Sequence, residues 1–222
     1  MTRNAGAQAP VVGIDIGGTS IKMGLVTPAG ETLGNATVPT PSIDSDHSFE
    51  TVCDEVRALC GRYPGAPAAI GLDVPGVVLP DGTLAMAPNL TLDLPGLIDS
   101  LRRGFPGAPV APINDANAAA LGEAWLGAGA ASTVFITLGT GVGAGVILDG
   151  RVVTGEHGAA GEVGHMCVEF EGGVPCNCGL RGCLEMYASA RGLIRMCREE
   201  CDRLGCAHVE TAHATDARAV FD

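Results

Sequence analysis

At 222 residues, 46% of them hydrophobic and 17% charged, the chain has the length and apolar content for one large domain or two modest lobes, and disorder is excluded. With 25 acidic residues against 13 basic ones, its net charge of −12 repels nucleic acid and anionic membranes, so neither is an expected partner. No run of about 18 apolar residues occurs. Residues 1–10 lack the apolar core of a signal peptide and read as a loose, disordered leader, so the expected compartment is the cytoplasm.

Residues 11–16 form an apolar run that stops at Gly17-Gly18. Residues 21–26 follow, and after the turn Pro28-Ala29-Gly30 a third extended stretch covers 31–38, which predicts a three-stranded meander. Helical spacing over 49–61 puts Val52, Val56, Leu59 and Cys60 on one side. Residues 68–73 read as a buried strand entering Pro75-Gly76, 94–103 as a helix and 108–113 as another strand. Asn114 is placed to cap an alanine-rich helix over 115–126. Residues 134–138 again form an apolar strand ending in glycines. Then come strands at 143–148 and 151–154, joined by the turn Asp149-Gly150.

A shift of 122 residues lays Val12, Ile14, Ile16 and Gly17 on Val134, Ile136, Leu138 and Gly139. A repeat of so long a period predicts two related lobes rather than a solenoid. The expected division is an amino-terminal lobe over 11–112 and a carboxy-terminal lobe over 113–222.

The first glycine loop is Asp15-Ile16-Gly17-Gly18-Thr19. Its glycines let backbone approach phosphate oxygens, and Thr19 adds a hydroxyl donor. Asp15 can hold Mg²⁺ directly or through water, and Lys22 can add positive charge. A plain hairpin turn would use the same two glycines. The second loop is Thr137-Leu138-Gly139-Thr140-Gly141-Val142-Gly143. It is no Walker A loop, for want of Gly-Lys-Ser/Thr, and no dinucleotide fingerprint, because a strand rather than a helix follows. Two such loops on related lobes suit a nucleotide held in a cleft.

Asp115 stands on the first turn of its helix, where the helix dipole favours a negative charge and a carboxylate can accept a hydroxyl proton. Asn and Asp are also ordinary helix-starting residues. His165, Cys176, Cys178 and Cys183 offer one imidazole and three thiolates, the donor set of a closed, structural zinc site. Nine cysteines, three of them within eight residues, favour metal over disulfides where no export signal is seen. Glu162 and Glu185 flank the cluster and can accept hydrogen bonds from sugar hydroxyls, or stand as solvated acids.

Four segments, GIDIGGTSIKMGLV, NDANAAALGE, TLGTGVGAGVILDG and GEVGHMCVEFEGGVPCNCGLRGCLE, together resemble the ROK family of bacterial sugar kinases and sugar-responsive repressors. The resemblance runs from about Val11 to the end of the chain. It implies an α/β, actin/hexokinase-type (ribonuclease H-like) fold, duplicated into two lobes of mixed sheet and helices. It also implies ATP with Mg²⁺ in the cleft, a structural zinc ion and a homodimer.

By the same resemblance Asp115 is the catalytic base, and Asn89, Asn114, Glu162, His165 and Glu185 bind the sugar. Asp15, Gly17, Gly18 and Thr19, with Gly139, Thr140, Gly141 and Gly143, match the sites for ATP phosphates and Mg²⁺, and the residues' own reading adds Lys22 and Thr137. His165, Cys176, Cys178 and Cys183 hold zinc. The implied reaction moves the ATP γ-phosphoryl group to a hexose hydroxyl, glucose first, with fructose, allose or N-acetylmannosamine as alternative acceptors. A non-catalytic, sugar-sensing repressor is the alternative from another class. The chain ends at Asp222 in a helical pattern where relatives continue, so the second lobe is expected to be incomplete.

Overall fold

The computed structural model describes residues 9–63, 65–79, 81–86, 90–127 and 129–205. Its contacts form two compact units. One reaches Ala118 and adds Glu156–Gly158; the other takes Ala119–Gly155 and the chain from Ala159 onward.

The first unit begins with a meander of β1 (Val11–Ile16), β2 (Ser20–Val26) and β3 (Thr32–Pro39), as the alternation predicts. Helix α1 (Asp46–Cys60) starts at a capping box in which Ser45 and Ser48 satisfy each other's backbone N–H groups, and β4 (Ile70–Val74) follows. A short ribbon of β5 (Val77–Val78) and β6 (Leu84–Met86), absent from the sequence expectations, leads to α2 (Leu94–Gly104) and β7 (Val110–Asn114). The five-stranded sheet runs β3-β2-β1-β4-β7, with β1, β4 and β7 parallel.

Period-two alternation sorts the side chains of this sheet. Val12, Ile14 and Ile16, with Ile21, Leu25, Ile70, Leu72 and Val74, are buried in one core with Phe49, Val52, Val56 and Leu59 of α1 and Leu94, Leu97 and Leu101 of α2. Each such side chain contributes about 1.5–3 kcal/mol when fully buried. Cys53 and Cys60 belong to the same core, on the apolar side of α1. Asp15, Lys22 and Asp73 take the intervening positions. Helix α3 (Asp115–Leu126) starts directly from β7, with the bounds the sequence predicts, and its first turn belongs to this unit.

In the second unit β8 (Thr133–Leu138), β9 (Val142–Leu148) and β10 (Arg151–Val152) form another antiparallel meander, with β8 at its edge. Shifting the bounds of β1 and β2 by 122 residues gives the bounds of β8 and β9. The duplication is therefore structural as well as sequential, but burial does not follow it. Val134, Ile136 and Leu138 are 59, 54 and 69% exposed, whereas their counterparts Val12, Ile14 and Ile16 are at most 1% exposed.

The last strand is shorter than the predicted 151–154. The Val153 N–H still reaches the Val146 carbonyl, but Thr154 turns away to accept from the Ala160 N–H. A single 3₁₀ turn (Val163–His165) precedes the cysteine-rich segment, which leads into α4 (Glu185–Ala188) and α5 (Ala190–Leu204). Cys197 and Cys201 lie a turn apart on α5. No helix among the described residues is long and apolar enough to cross a membrane.

Candidate functional site

In the first unit, parallel register gathers the polar residues. Asp15 of β1 pairs with Asp73 of β4, and Val74 of β4 pairs with Asn114 of β7. Three neighbouring parallel strands thus end together with Asp15, Asp73 and the Asn114-Asp115 step at their carboxyl ends, the place where open α/β sheets bind ligands.

Asn114 caps α3 as expected: its Oδ1 accepts the Asn117 N–H at 3.1 Å. Both hydrogens of its amide are also committed, one to the Gly76 carbonyl at 3.0 Å and one to Asp115 Oδ1 at 2.9 Å. The same Asp115 oxygen accepts the Ala116 N–H at 2.8 Å, while Oδ2 accepts no hydrogen bond among the described residues. Asp15 Oδ2 is met by Lys22 Nζ at 3.3 Å, across the β1–β2 pair.

Asp73 was not among the residues that sequence reasoning singled out. Burial, then the charges of Asp15 and Asp115, push its carboxyl up to about 7 against the pull of Lys22. Its Oδ1 is buried without a hydrogen-bond partner among the described residues. Asp15, Lys22 and Asp73 line a cavity of about 350 Å³ together with Gly13, Gly24 and Gly71. The available signal was one carboxylate at the end of an otherwise apolar strand.

Each glycine loop is closed by a backbone hydrogen bond from its first glycine, and in the second the Gly139 N–H reaches the Gly141 carbonyl at 3.0 Å. In the first, Gly17 donates to the Ser20 carbonyl at 3.1 Å and a Cβ there would stand 2.9 Å from that oxygen, so the turn itself requires glycine. Gly18 and Gly139 are different, because a Cβ on either meets nothing within 4 Å. Neither has a positive φ. The fold gives no steric reason for glycine at these positions, where the bare backbone leaves room for close approach. The N–H groups of Gly18 and Thr19, and those of Thr140 and Gly141, donate to no described residue. Runs of free amides of this kind suit an anion.

In the second unit Thr137 pairs with Gly143 across the hairpin that carries the second loop. The ligating atoms of His165, Cys176, Cys178 and Cys183 all lie within 4.8 Å of one another. Cys178 Sγ is 3.6 Å from Cys183 Sγ, and Cys176 Sγ is 3.6 Å from His165 Nδ1. Donors at about 2.0–2.3 Å from a common tetrahedral centre have such separations, so the four residues fit one metal ion.

Burial pushes the Cys176 thiol up to about 12, whereas the Leu180 N–H lowers that of Cys178. A metal bound here must displace protons. Glu162 Oε2 is 3.8 Å from His165 Nε2, and Glu185 Oε1 accepts from the Cys176 thiol at 3.3 Å. The structure therefore brings Glu162, His165 and Glu185 around one cluster. Asn89 lies outside the described residues.

The sequence pattern of the ROK family matches residues 11–221. The chain is 44% identical over 196 residues to a glucokinase of Halalkalibacterium halodurans, covering 85% of this chain and 59% of that protein. It is 33% identical over 199 residues to a xylose repressor of Caldicellulosiruptor bescii, covering 85% of this chain and 49% of that protein. A ROK family glucokinase from Streptomyces griseus, solved in complex with glucose and AMPPNP, is similar at a TM-score of 0.70 and 35% identity, over 88% of this chain and 62% of that one. The mixed five-stranded sheet and the repeated meander are those of the actin/hexokinase-type α/β fold. Within that class, the chain belongs to the ROK family. It spans 59% of the length of the Halalkalibacterium relative.

Proposed function

We propose that this chain carries the chemistry of an ATP-dependent hexose kinase with glucose as the acceptor. The observation that carries the reading is the state of Asp115. One carboxylate oxygen is fixed by the Ala116 N–H and the Asn114 amide, and the other is left with acceptor capacity at the amino end of α3. Oδ2 takes the proton of the sugar hydroxyl as its oxygen attacks the γ-phosphorus. The bond to the β-phosphate bridging oxygen breaks, and ADP leaves.

The Gly17–Thr19 and Gly139–Gly143 loops hold phosphate through backbone N–H groups, supplemented by Lys22. Asp15 is the residue suited to hold Mg²⁺, which neutralises phosphate charge when bound. His165, Cys176, Cys178 and Cys183 would hold zinc in a structural role, while Glu162, His165 and Glu185 accept hydrogen bonds from sugar hydroxyls. Relatives named for glucose and for N-acetyl-D-glucosamine support a hexose acceptor, and the first is the more similar. The working protein is proposed to be a cytoplasmic homodimer.

The test is turnover of the full chain with ATP and a panel of glucose, fructose, allose, N-acetylmannosamine and N-acetylglucosamine, repeated with Asp115→Asn. The substitution should lower turnover by roughly 10²–10⁴-fold with glucose affinity largely kept. Near-normal turnover removes Asp115 from its role. Hexose binding by the wild-type chain without phosphoryl transfer favours the sugar-sensing reading, for which the xylose repressor relative is the precedent.

A further inference from the structure

The second glycine loop is gripped by both ends of the metal-binding segment. The Gly139 carbonyl accepts the Ala190 N–H at 2.9 Å, and the Thr140 carbonyl accepts from Arg191 Nε at 3.1 Å. Glu185 fills the space beside Gly141, where a Cβ would lie 2.7 Å from Oε2. From the other end, Gly164 packs against the Val142 carbonyl so closely that no Cβ fits between them.

Two of these contacts stand beside a metal ligand in the chain, and the other two follow through a short helix. Gly164 precedes His165, and only Leu184 separates Cys183 from Glu185. Helix α4 then runs to Ser189, which caps α5 by accepting the Gly192 N–H at 3.1 Å and so fixes where Ala190 and Arg191 begin. With its carbonyls at 139 and 140 occupied by these donors, the loop leaves its Thr140 and Gly141 N–H groups without an acceptor among the described residues.

We propose that Arg191 and Glu185 are positioning residues for the second glycine loop, so that metal held by His165 and the three cysteines sets the loop's affinity for nucleotide phosphate. The inference rests on the phosphate-binding reading of that loop. It makes the metal cluster part of the donor side of the reaction as well as the acceptor side.

The test uses the full, metal-loaded chain and two titrations, one with a fluorescent ATP analogue and one with glucose. Arg191→Ala should weaken nucleotide binding roughly three- to tenfold, the worth of one hydrogen bond, and leave glucose affinity within about twofold. Arg191→Lys should recover part of the loss. Chelation of the metal should weaken nucleotide binding and speed hydrogen exchange of the amides at 139–143, with β1 and β4 as protected as before.

Unchanged nucleotide affinity in Arg191→Ala overturns the proposal. If that variant does not fold, the wild-type chain with and without metal decides, and unchanged exchange at 139–143 overturns it equally. A wild-type chain that binds no nucleotide refutes the phosphate-binding reading on which the proposal rests, whereas one that binds nucleotide with an affinity indifferent to metal overturns the proposal alone.

Discussion

Asp15 and Asp73 stand opposite each other on the parallel strands β1 and β4, and the one neighbouring lysine, Lys22, is bonded to Asp15. The folded chain therefore favours a protonated Asp73, whose carboxyl is raised from 3.8 to about 7. The stability this contributes is complete below about pH 4 and is lost as pH rises through about 7. Asp73→Asn should melt like the wild type at pH 4 and above it at pH 8, by on the order of 2–4 kcal/mol. Urea titrations at the two pH values check this. Equal midpoints at pH 8 would show that Asp73 bears no strain when ionised.

Gly18 separates the needs of the ligand from those of the fold. Because a Cβ there meets no protein atom within 4 Å, Gly18→Ala should change stability by less than about 0.5 kcal/mol. Affinity for an ATP analogue should nevertheless fall, by roughly tenfold or more, since the methyl group occupies the approach of a phosphate to the backbone. Thermal melts paired with a nucleotide titration decide the matter. Unaltered affinity would return the loop to the status of a plain hairpin turn.

Metal binding should release protons and strengthen with pH. The metal-free Cys176 thiol is held up to about 12 by burial, so at neutral pH the ion displaces its proton. Competition against a chromophoric chelator between pH 6 and 8 should show tighter binding at the higher value, and Cys178→Ser should weaken it throughout. A pH-independent affinity would point to a different donor set.

The internal repeat supplies a matched pair of truncations. Ile14 is 1% exposed and its counterpart Ile136 is 54% exposed. In the 222-residue chain, Ile14→Ala should cost about 2–5 kcal/mol and Ile136→Ala less than about 0.5 kcal/mol. Denaturant midpoints measure both. Similar losses would mean that the outer row of β8 is covered in solution.

Much of this architecture was legible in the residues themselves. Alternating apolar positions between glycines placed β1, β2, β8 and β9, and the shift of 122 residues between the two pairs carried over to their observed bounds. Local chemistry also exposed the Asn114 cap and the His165, Cys176, Cys178 and Cys183 cluster, because their meaning lies in short spacings.

Asp73 was missed for the opposite reason. Its environment comes from the register of strands more than fifty residues apart in sequence, which no local pattern encodes. The same holds for Arg191, whose acceptor on Thr140 lies 51 residues away. The β5–β6 ribbon escaped because strands of two and three residues carry too little alternation to detect.

The edge strand β8 has a practical consequence for anyone handling the protein. It combines one side unpaired among the described residues with three exposed apolar side chains, which makes it a template for strand addition. Concentrated solutions of the 222-residue chain should self-associate through this edge, and lysine placed at position 136 should keep them clear.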